Sequence, residues 1–276
     1  MIITGAGGFI GSVLVEYFVQ KNWQVIAFVQ AIPDKPVSGA VYVKYDLQQE
    51  PDEGAFADTD ALIHCAYVKN DIEKNVSGTK KLLMMCRKHH VERTVFLSSF
   101  SAHPDAVSKY GKQKLEIEKL FNTKSDCSVR AGVVLGNGGI FKQMSGHILK
   151  GKRIPLFDGG TQPMQTIHVN DLAMIIDRII DQRISGIYTL AEPVPIPYKE
   201  FFIALSEKLG KKAKFIRVPF GLVNFGLMMA EWLRIKLPIN RENVLGLKFI
   251  RQRETKADLE KLGVKIRNFK ESLKDL

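Results

Sequence analysis

Cysteine is scarce in this sequence: among 276 residues only Cys65, Cys86 and Cys127 occur. Three thiols so widely spaced make neither a disulfide framework nor a Cys-x-x-Cys metal site, and they read as reduced, buried side chains. Histidine is thin as well. His64, His89, His90, His103, His147 and His168 show no metal-ligand spacing, so no metal is expected. Long apolar runs are missing: the longest, near Phe225 to Ala230, falls far short of a membrane span. No basic segment followed by an apolar stretch opens the chain, and a soluble, cytoplasmic protein without a transmembrane segment is expected. Acidic residues are in deficit, with 29 against 40 Lys and Arg, for a net charge of +11. Residues 211–276 hold 16 Lys and Arg against 7 Asp and Glu, which concentrates the surplus in the last quarter of the chain. Such a lobe suits a small anionic substrate; no nucleic-acid motif accompanies the charge, and nucleic acid is not an expected partner.

What the chain does have is rhythm. Hydrophobic residues make up 45% of it, enough for a large core. Short β-branched runs alternate with amphipathic stretches: Ile2-Ile3, then a helix over 9–21; strands over 24–29, 41–45 and 61–66; a helix over 71–89; a strand over 94–97; a helix over 108–122; and a strand over 128–135. That alternation predicts a parallel sheet covered on both faces. After Gly136 the pattern loosens into a loop-rich, glycine-punctuated stretch, followed by a helix over 171–181 and a strand over 186–190. Pro193, Pro195 and Pro197 suggest a hinge, because each fixes its φ and lacks an amide donor. Beyond it, helices are expected over 198–209, 222–235, 241–247 and 256–262. The apolar 221–235 segment, with Met228, Met229 and Trp232, reads as packing for a smaller lobe rather than a membrane-surface helix.

Two constellations carry chemistry. Gly5, Gly7, Gly8 and Gly11, with Phe9 and Ile10, sit between the first strand and the first helix. A turn without Cβ atoms lets a pyrophosphate approach the backbone, and the helix amides and dipole then hold its charge. Tyr110 and Lys114 stand four apart on one helical face, downstream of Ser98-Ser99 at the end of the fifth strand. A cation beside a phenol favours the phenolate, so Lys114 is expected to lower the Tyr110 pKa and fit it for proton transfer near neutrality.

With these motifs on the page, the sequence closely resembles the extended short-chain dehydrogenase/reductase family, also called the NAD-dependent epimerase/dehydratase family. The resemblance runs in order through the glycine motif, Asp46-Leu47, the strand ending His64-Cys65-Ala66, Asn75-Val76-Ser77-Gly78-Thr79, Ser98-Ser99, Tyr110 with Lys114, Arg130 with Gly136, and Ile167-His168-Val169-Asn170-Asp171-Leu172-Ala173. It implies a Rossmann-type, doubly wound parallel sheet with a smaller, mostly helical C-terminal substrate lobe. The dinucleotide-binding domain would take residues 1–135 plus 165–190, and the lobe 136–164 plus 191–276. Tyr110 becomes the general acid/base, Lys114 the ligand of the nicotinamide ribose, and Ser99 the partner of the substrate oxygen, with Ser101 as fallback. Asp46, Leu47, Cys65, Ala66 and Tyr67 would line the cofactor. The resemblance also suggests a homodimer through the helices at 71–89 and 108–122.

The chain departs from the family pattern at several points. His103-Pro104 stands where members carry Tyr-Gly, Ala131 follows Arg130 in place of proline, and Met164 replaces an arginine that pairs with a nucleotide-sugar diphosphate. Either Arg153 or another cation does that work, or the substrate is not a nucleotide sugar. Gln30 ends the second strand where an acid would favour NAD, and with Lys35 nearby the reading leans to NADP. The leading expectation is an NAD(P)-dependent reductase or dehydrogenase acting on a carbinol or ketone of a sugar-like substrate. A nucleotide-sugar epimerase with tightly bound NAD comes second, and a non-catalytic NAD(P)-binding assembly protein third.

Overall fold

The computed structural model describes residues 1–219 and 250–276. The helices expected over 222–235 and 241–247, and the apolar segment around Met228 and Trp232, lie outside the described residues.

The chain starts with β1 (Ile2–Thr4), α1 (Phe9–Gln20), β2 (Val25–Val29), β3 (Ala40–Lys44), β4 (Ala61–His64), α2 (Ile72–Lys88), β5 (Arg93–Ser99), α3 (Lys109–Glu118) and β6 (Cys127–Ala131). It continues through β7 (Val133–Leu135), α4 (Gly139–Leu149), β8 (Ile154–Leu156), β9 (Pro163–Met164), β10 (Thr166–His168), α5 (Val169–Asp181) and β11 (Gly186–Leu190). The rest comprises β12 (Ile196–Pro197), α6 (Tyr198–Lys208), β13 (Phe215–Arg217), α7 (Lys256–Lys261) and α8 (Phe269–Lys274).

Seven strands form one parallel sheet in the order β3-β2-β1-β4-β5-β6-β11. Alternate side chains point to opposite faces. Ile3, Ile63, Val95 and Leu97 therefore pack with Leu14 and Phe18 of α1 and Leu172, Ile175, Ile176 and Ile179 of α5. Ile2, Leu62 and Phe96 face the other way, toward Leu82 and Cys86 of α2 and Ile117 of α3. Both faces are covered, as a sheet of continuous apolar strands requires. The strand order reverses between β1 and β4, and ligands of open α/β sheets sit at the carboxyl ends beside such a reversal.

Two expectations need correction. The strand expected over 128–135 is two strands: at Gly132 the chain leaves the main sheet, and a Cβ there would lie 2.5 Å from the Gln165 carbonyl oxygen and 2.8 Å from Ala191. β7 then pairs with β10 in a separate ladder. The stretch after Gly136, expected to be loop-rich, contains α4, whose Phe141 and Ile148 are buried in the second core. That core joins Leu135, Leu156, Met164, Phe201, Phe202 and Phe269, so α4, α6 and α8 supply much of it, and three two-stranded ladders stand beside the main sheet among the described residues. Not all of the C-terminal segment stays there. Leu259 and Leu262 return to the core of the main sheet, and the Asp258 carboxylate accepts from the Thr189 amide on edge strand β11.

Candidate active site

The carboxyl ends of the strands bring most of the sequence-derived residues to one edge. After β1, Gly5 adopts φ 65°, and a Cβ on it would fall 2.7 Å from the Ala66 amide nitrogen beyond β4. A Cβ on Gly11 would lie 2.2 Å from the Gly5 carbonyl oxygen. Strand end, turn and helix thus meet backbone to backbone, which only glycine permits. Gly7 is different: its missing Cβ would meet only the Val29 side chain at 3.7 Å, an ordinary contact, so the fold itself does not require that glycine. Gly8 begins α1 with no side-chain cap and no acid in the first turn. The first amides of the helix are thereby left for an anion. The Ile10 side chain packs on the main core, while the Phe9 ring fills the space over Gly136, Gly138 and Gly139. The glycines that made 136–139 look like loop are the seat of that ring.

Beside the turn runs a directional chain of hydrogen bonds. Thr79 Oγ1 donates to the Asn75 carbonyl (2.6 Å), so it accepts from His64 Nε2 (2.9 Å). That leaves His64 Nδ1 to accept from Thr4 Oγ1 (2.7 Å), which in turn accepts from the Ala66 amide (3.2 Å). His64 is fully buried, and desolvation drops its pKa to about 3, so it stays neutral. Asn75 of the Asn75–Thr79 motif is buried. Its side chain accepts from the Val68 amide (2.8 Å) and donates to the carbonyls of Val68 and Asp71 (both 2.7 Å). Residues 65–68 are pinned at both ends.

At the outer edge, Gln30 Nε2 donates to Asp46 Oδ2 (2.8 Å), and Lys74 lies 3.7 Å from the same carboxylate. Hydrogen bonds from the Gln48 amide and Gln30, with Lys74 beside it, hold the Asp46 pKa down. Leu47 is buried, with its backbone and side chain where a Cβ on Gly78 would stand.

The end of β5 separates its two serines. Ser98 is buried and donates to Glu118 Oε2 (2.8 Å). Ser99 faces Tyr110 and shares a hydrogen bond with it, while Ser99 Oγ accepts from the Ser101 amide (3.2 Å). Ser101 itself is exposed. Its carbonyl oxygen would lie 2.2 Å from a Cβ on Gly111, so glycine next to the tyrosine is what lets α3 dock here. Ser108 caps α3 by accepting from the Gly111 amide (3.1 Å). Tyr110 is 43% exposed.

Here the electrostatic expectation fails. The Tyr110 pKa is raised, because desolvation by the surrounding protein outweighs the Ser99 hydrogen bond that pulls it down. Lys114 is engaged elsewhere. Its ammonium is buried, donates to the Leu97 carbonyl (2.8 Å), and lies 5.0 Å from the Tyr67 ring centre and 4.7 Å from that of Phe96. Burial lowers its pKa to about 8, against the opposing pull of Cys65 and Glu118. The Cys65 thiol is pushed up to about 12 by burial.

Several contributors went unread in the sequence. Glu118, one turn beyond Lys114, forms a two-pronged pair with Arg130 of β6 and ties α3 to the sheet. Gln113 accepts from the Tyr67 hydroxyl (2.5 Å). Both were legible as i+3 and i+4 partners on the Tyr110 and Lys114 face. Arg153 is exposed just ahead of β8, and Met164 is buried in the lobe core, where it can pair with no anion. A surface hollow of about 580 Å³ lies elsewhere, at Asp171, Arg267 and Asp275, but those groups already pair with one another.

This edge fits a nicotinamide dinucleotide: an uncapped helix start for the pyrophosphate, a left-handed glycine and a jammed turn beneath it, and a polar pair, Gln30 and Asp46, at the far end. The comparisons agree. The model of the NAD dependent epimerase/dehydratase family matches residues 1–191. A putative UDP-glucose 4-epimerase of Methanocaldococcus jannaschii is 28% identical over 63% of this chain and 70% of its own. Short-chain dehydrogenase/reductase family 42E member 1 of Xenopus laevis is 25% identical over 84% and 74%. Among solved structures, MoeE5 in complex with UDP-glucose and NAD superposes with a TM-score of 0.76 at 19% identity, covering 99% of this chain and 95% of that one. The UDP-glucose 4-epimerase of Thermotoga maritima gives 0.73 at 18% identity, over 99% and 96%. Among the described residues no helix is long and apolar enough to cross a membrane. The chain belongs to the NAD-dependent epimerase/dehydratase family and is an enzyme.

Proposed function

We propose that this enzyme moves a hydride between a nicotinamide dinucleotide and a carbinol or ketone carbon of a sugar-like substrate, with Tyr110 and Ser99 handling the proton. The observation that carries the reading is the Ser99–Tyr110 hydrogen bond at the carboxyl end of β5, beside the reversal of strand order. The Ser101 amide donates to Ser99 Oγ, and the Ser99 hydroxyl shares a hydrogen bond with the Tyr110 phenol. On this reading Ser99 donates to the phenol oxygen and leaves the phenol's own hydrogen for a substrate oxygen. Because its pKa stands above the ordinary value, Tyr110 is protonated at neutral pH and suited to donate as a ketone is reduced. The bound dinucleotide supplies or accepts the hydride. The first amides of α1 hold its pyrophosphate, and Lys114 lies buried one turn beyond Tyr110.

On this reading NAD is preferred over NADP, against the lean drawn from Gln30 and Lys35. Gln30 is tied to the Asp46 carboxylate, and an acid at that edge accepts from a ribose 2′-hydroxyl and repels a 2′-phosphate. A retained-NAD epimerase is the second reading, supported by the relative and the solved structure named as UDP-glucose 4-epimerases. Since Met164 is buried, a nucleotide-sugar diphosphate would need another cation, such as Arg153. The division into a dinucleotide unit and a substrate lobe, and a homodimer through α2 and α3, belong to the same reading.

Tyr110→Phe should cut turnover by about 100- to 10,000-fold with the true substrate. Unchanged turnover would sink the assignment. Native mass spectrometry separates the two readings: an epimerase carries stoichiometric NAD from purification, and a reductase exchanges it with the bulk pool.

A further inference from the structure

Tyr67 holds an unusual place. It stands on the short segment between β4 and α2, and it touches three residues of one face of α3. Its ring meets Tyr110 edge-on, with centres 5.3 Å apart at 90°. Its hydroxyl donates to Gln113 (2.5 Å), and its face lies 5.0 Å from the Lys114 ammonium. Neither neighbour along the chain lets it drift, since the Ala66 amide is held by Thr4 and both backbone groups of Val68 by Asn75.

Lys114 needs such a neighbour. Its side chain is nearly all buried and has one hydrogen-bond acceptor, the Leu97 carbonyl, for three N–H donors. The other groups facing it are few. Cys65 lies at the end of β4 with a protonated thiol, and His64 from the same strand is neutral. Glu118, on its own helix, is engaged by Arg130 and Ser98. The ammonium also lies over two aromatic rings, 4.7 Å from the centre of Phe96 of β5 and 5.0 Å from that of Tyr67. A desolvated ammonium is attracted to the electron-rich face of a ring.

We infer that Tyr67 is a positioning residue: its ring face holds the Lys114 ammonium in place one turn beyond Tyr110 and keeps it charged. This rests on the dinucleotide reading only for its consequence, because the ring acts on Lys114 with or without cofactor. Phe96 is locked in the core and cannot adjust, whereas Tyr67 belongs to the same segment as the cofactor-lining Cys65 and Ala66. A ligand that shifts that segment therefore shifts the cation.

The test is a titration of Lys114 in the cofactor-free protein, followed by its side-chain 13C resonances, with Lys114→Arg used to assign the signal. Tyr67→Phe keeps the ring and should leave the midpoint close to wild type. Phenylalanines of increasing fluorination at position 67 keep the shape while draining charge from the ring face. They should lower the Lys114 midpoint stepwise, by about 0.5–1 unit at full fluorination. Tyr67→Leu should match the fully fluorinated ring. A midpoint that ignores fluorination would overturn the inference, even if Tyr67→Leu fails to fold. NADH binding by fluorescence, measured on the same variants, is read separately. If wild type binds no dinucleotide while the midpoint still follows the ring, the functional reading fails and the Tyr67 assignment stands.

Discussion

The two sides of the groove are built from different materials. On the side of β1 and β4, backbone presses on backbone around Gly5 and Gly11, and neutral His64 threads a chain of buried hydrogen bonds from Ala66 to Asn75. On the opposite side, beyond β5, the loop carrying His103 and Asp105 meets residues 251–253 through exposed charges. Asp105 is shared by Arg251 and Arg253, each at 3.4 Å. The first side suits an invariant ligand, because Gly5, Gly11 and the His64 chain cannot be changed without moving a neighbour. The second can change partners at little cost to the fold.

The comparison can be broken most severely where a charge is buried. Glu118→Ala strands Arg130 and should cost about 3–5 kcal/mol in urea unfolding, whereas Glu118→Gln should recover part of it. A loss within 1 kcal/mol would mean that the pair is solvated and that α3 is not anchored by it.

Acid should expose the His64 chain next. Its folded pKa of about 3 lies below the unfolded value of 6.5, so between those limits the unfolded state binds the extra proton. The stability that neutral His64 contributes is complete above pH 6.5 and is lost as pH falls toward 3, by about 1.4 kcal/mol per unit. Chemical denaturation of wild type and His64→Gln from pH 7 to 4 should show the steeper loss in the wild type, with His103 and His168 adding their own slope to both. Parallel curves would place His64 in contact with water.

Gly11→Ala tests the jammed turn. Overpacking of this kind costs about 1–3 kcal/mol, which would appear as a roughly 10- to 100-fold loss of NADH affinity by fluorescence titration. Gly7→Ala, where the space is open to protein atoms, should leave unfolding unchanged, and any loss it causes in NADH binding then reports the ligand directly.

The smallest effect belongs to the other side. Asp105→Asn removes an exposed carboxylate from two weak pairs, and the thermal midpoint should not move measurably. If it falls as far as that of Glu118→Ala, the two sides of the groove are not built differently after all.

Much of the first side was legible. The glycine spacing, the Tyr110–Lys114 pair and the strand ending at His64 follow from local rules: a turn that needs no Cβ, a helical repeat, an apolar strand. What packs against it was not, because the glycines at 136, 138 and 139 answer to the Phe9 ring, distant in the chain. They disguised α4 as loop. The split at Gly132 has the same origin, in the approach of Gln165 and Ala191.

By itself the sequence determined the parallel sheet, its order of helices and strands, and which side chains could do chemistry, since these depend on neighbours a few residues apart. Only the tertiary structure decided which serine faces Tyr110, that Asn75 clamps a loop, and that Lys114 lies against aromatic rings with the phenol pKa raised rather than lowered. A side chain's charge state and partners are set by what the rest of the fold brings within a few ångströms, and no spacing along one helix contains that.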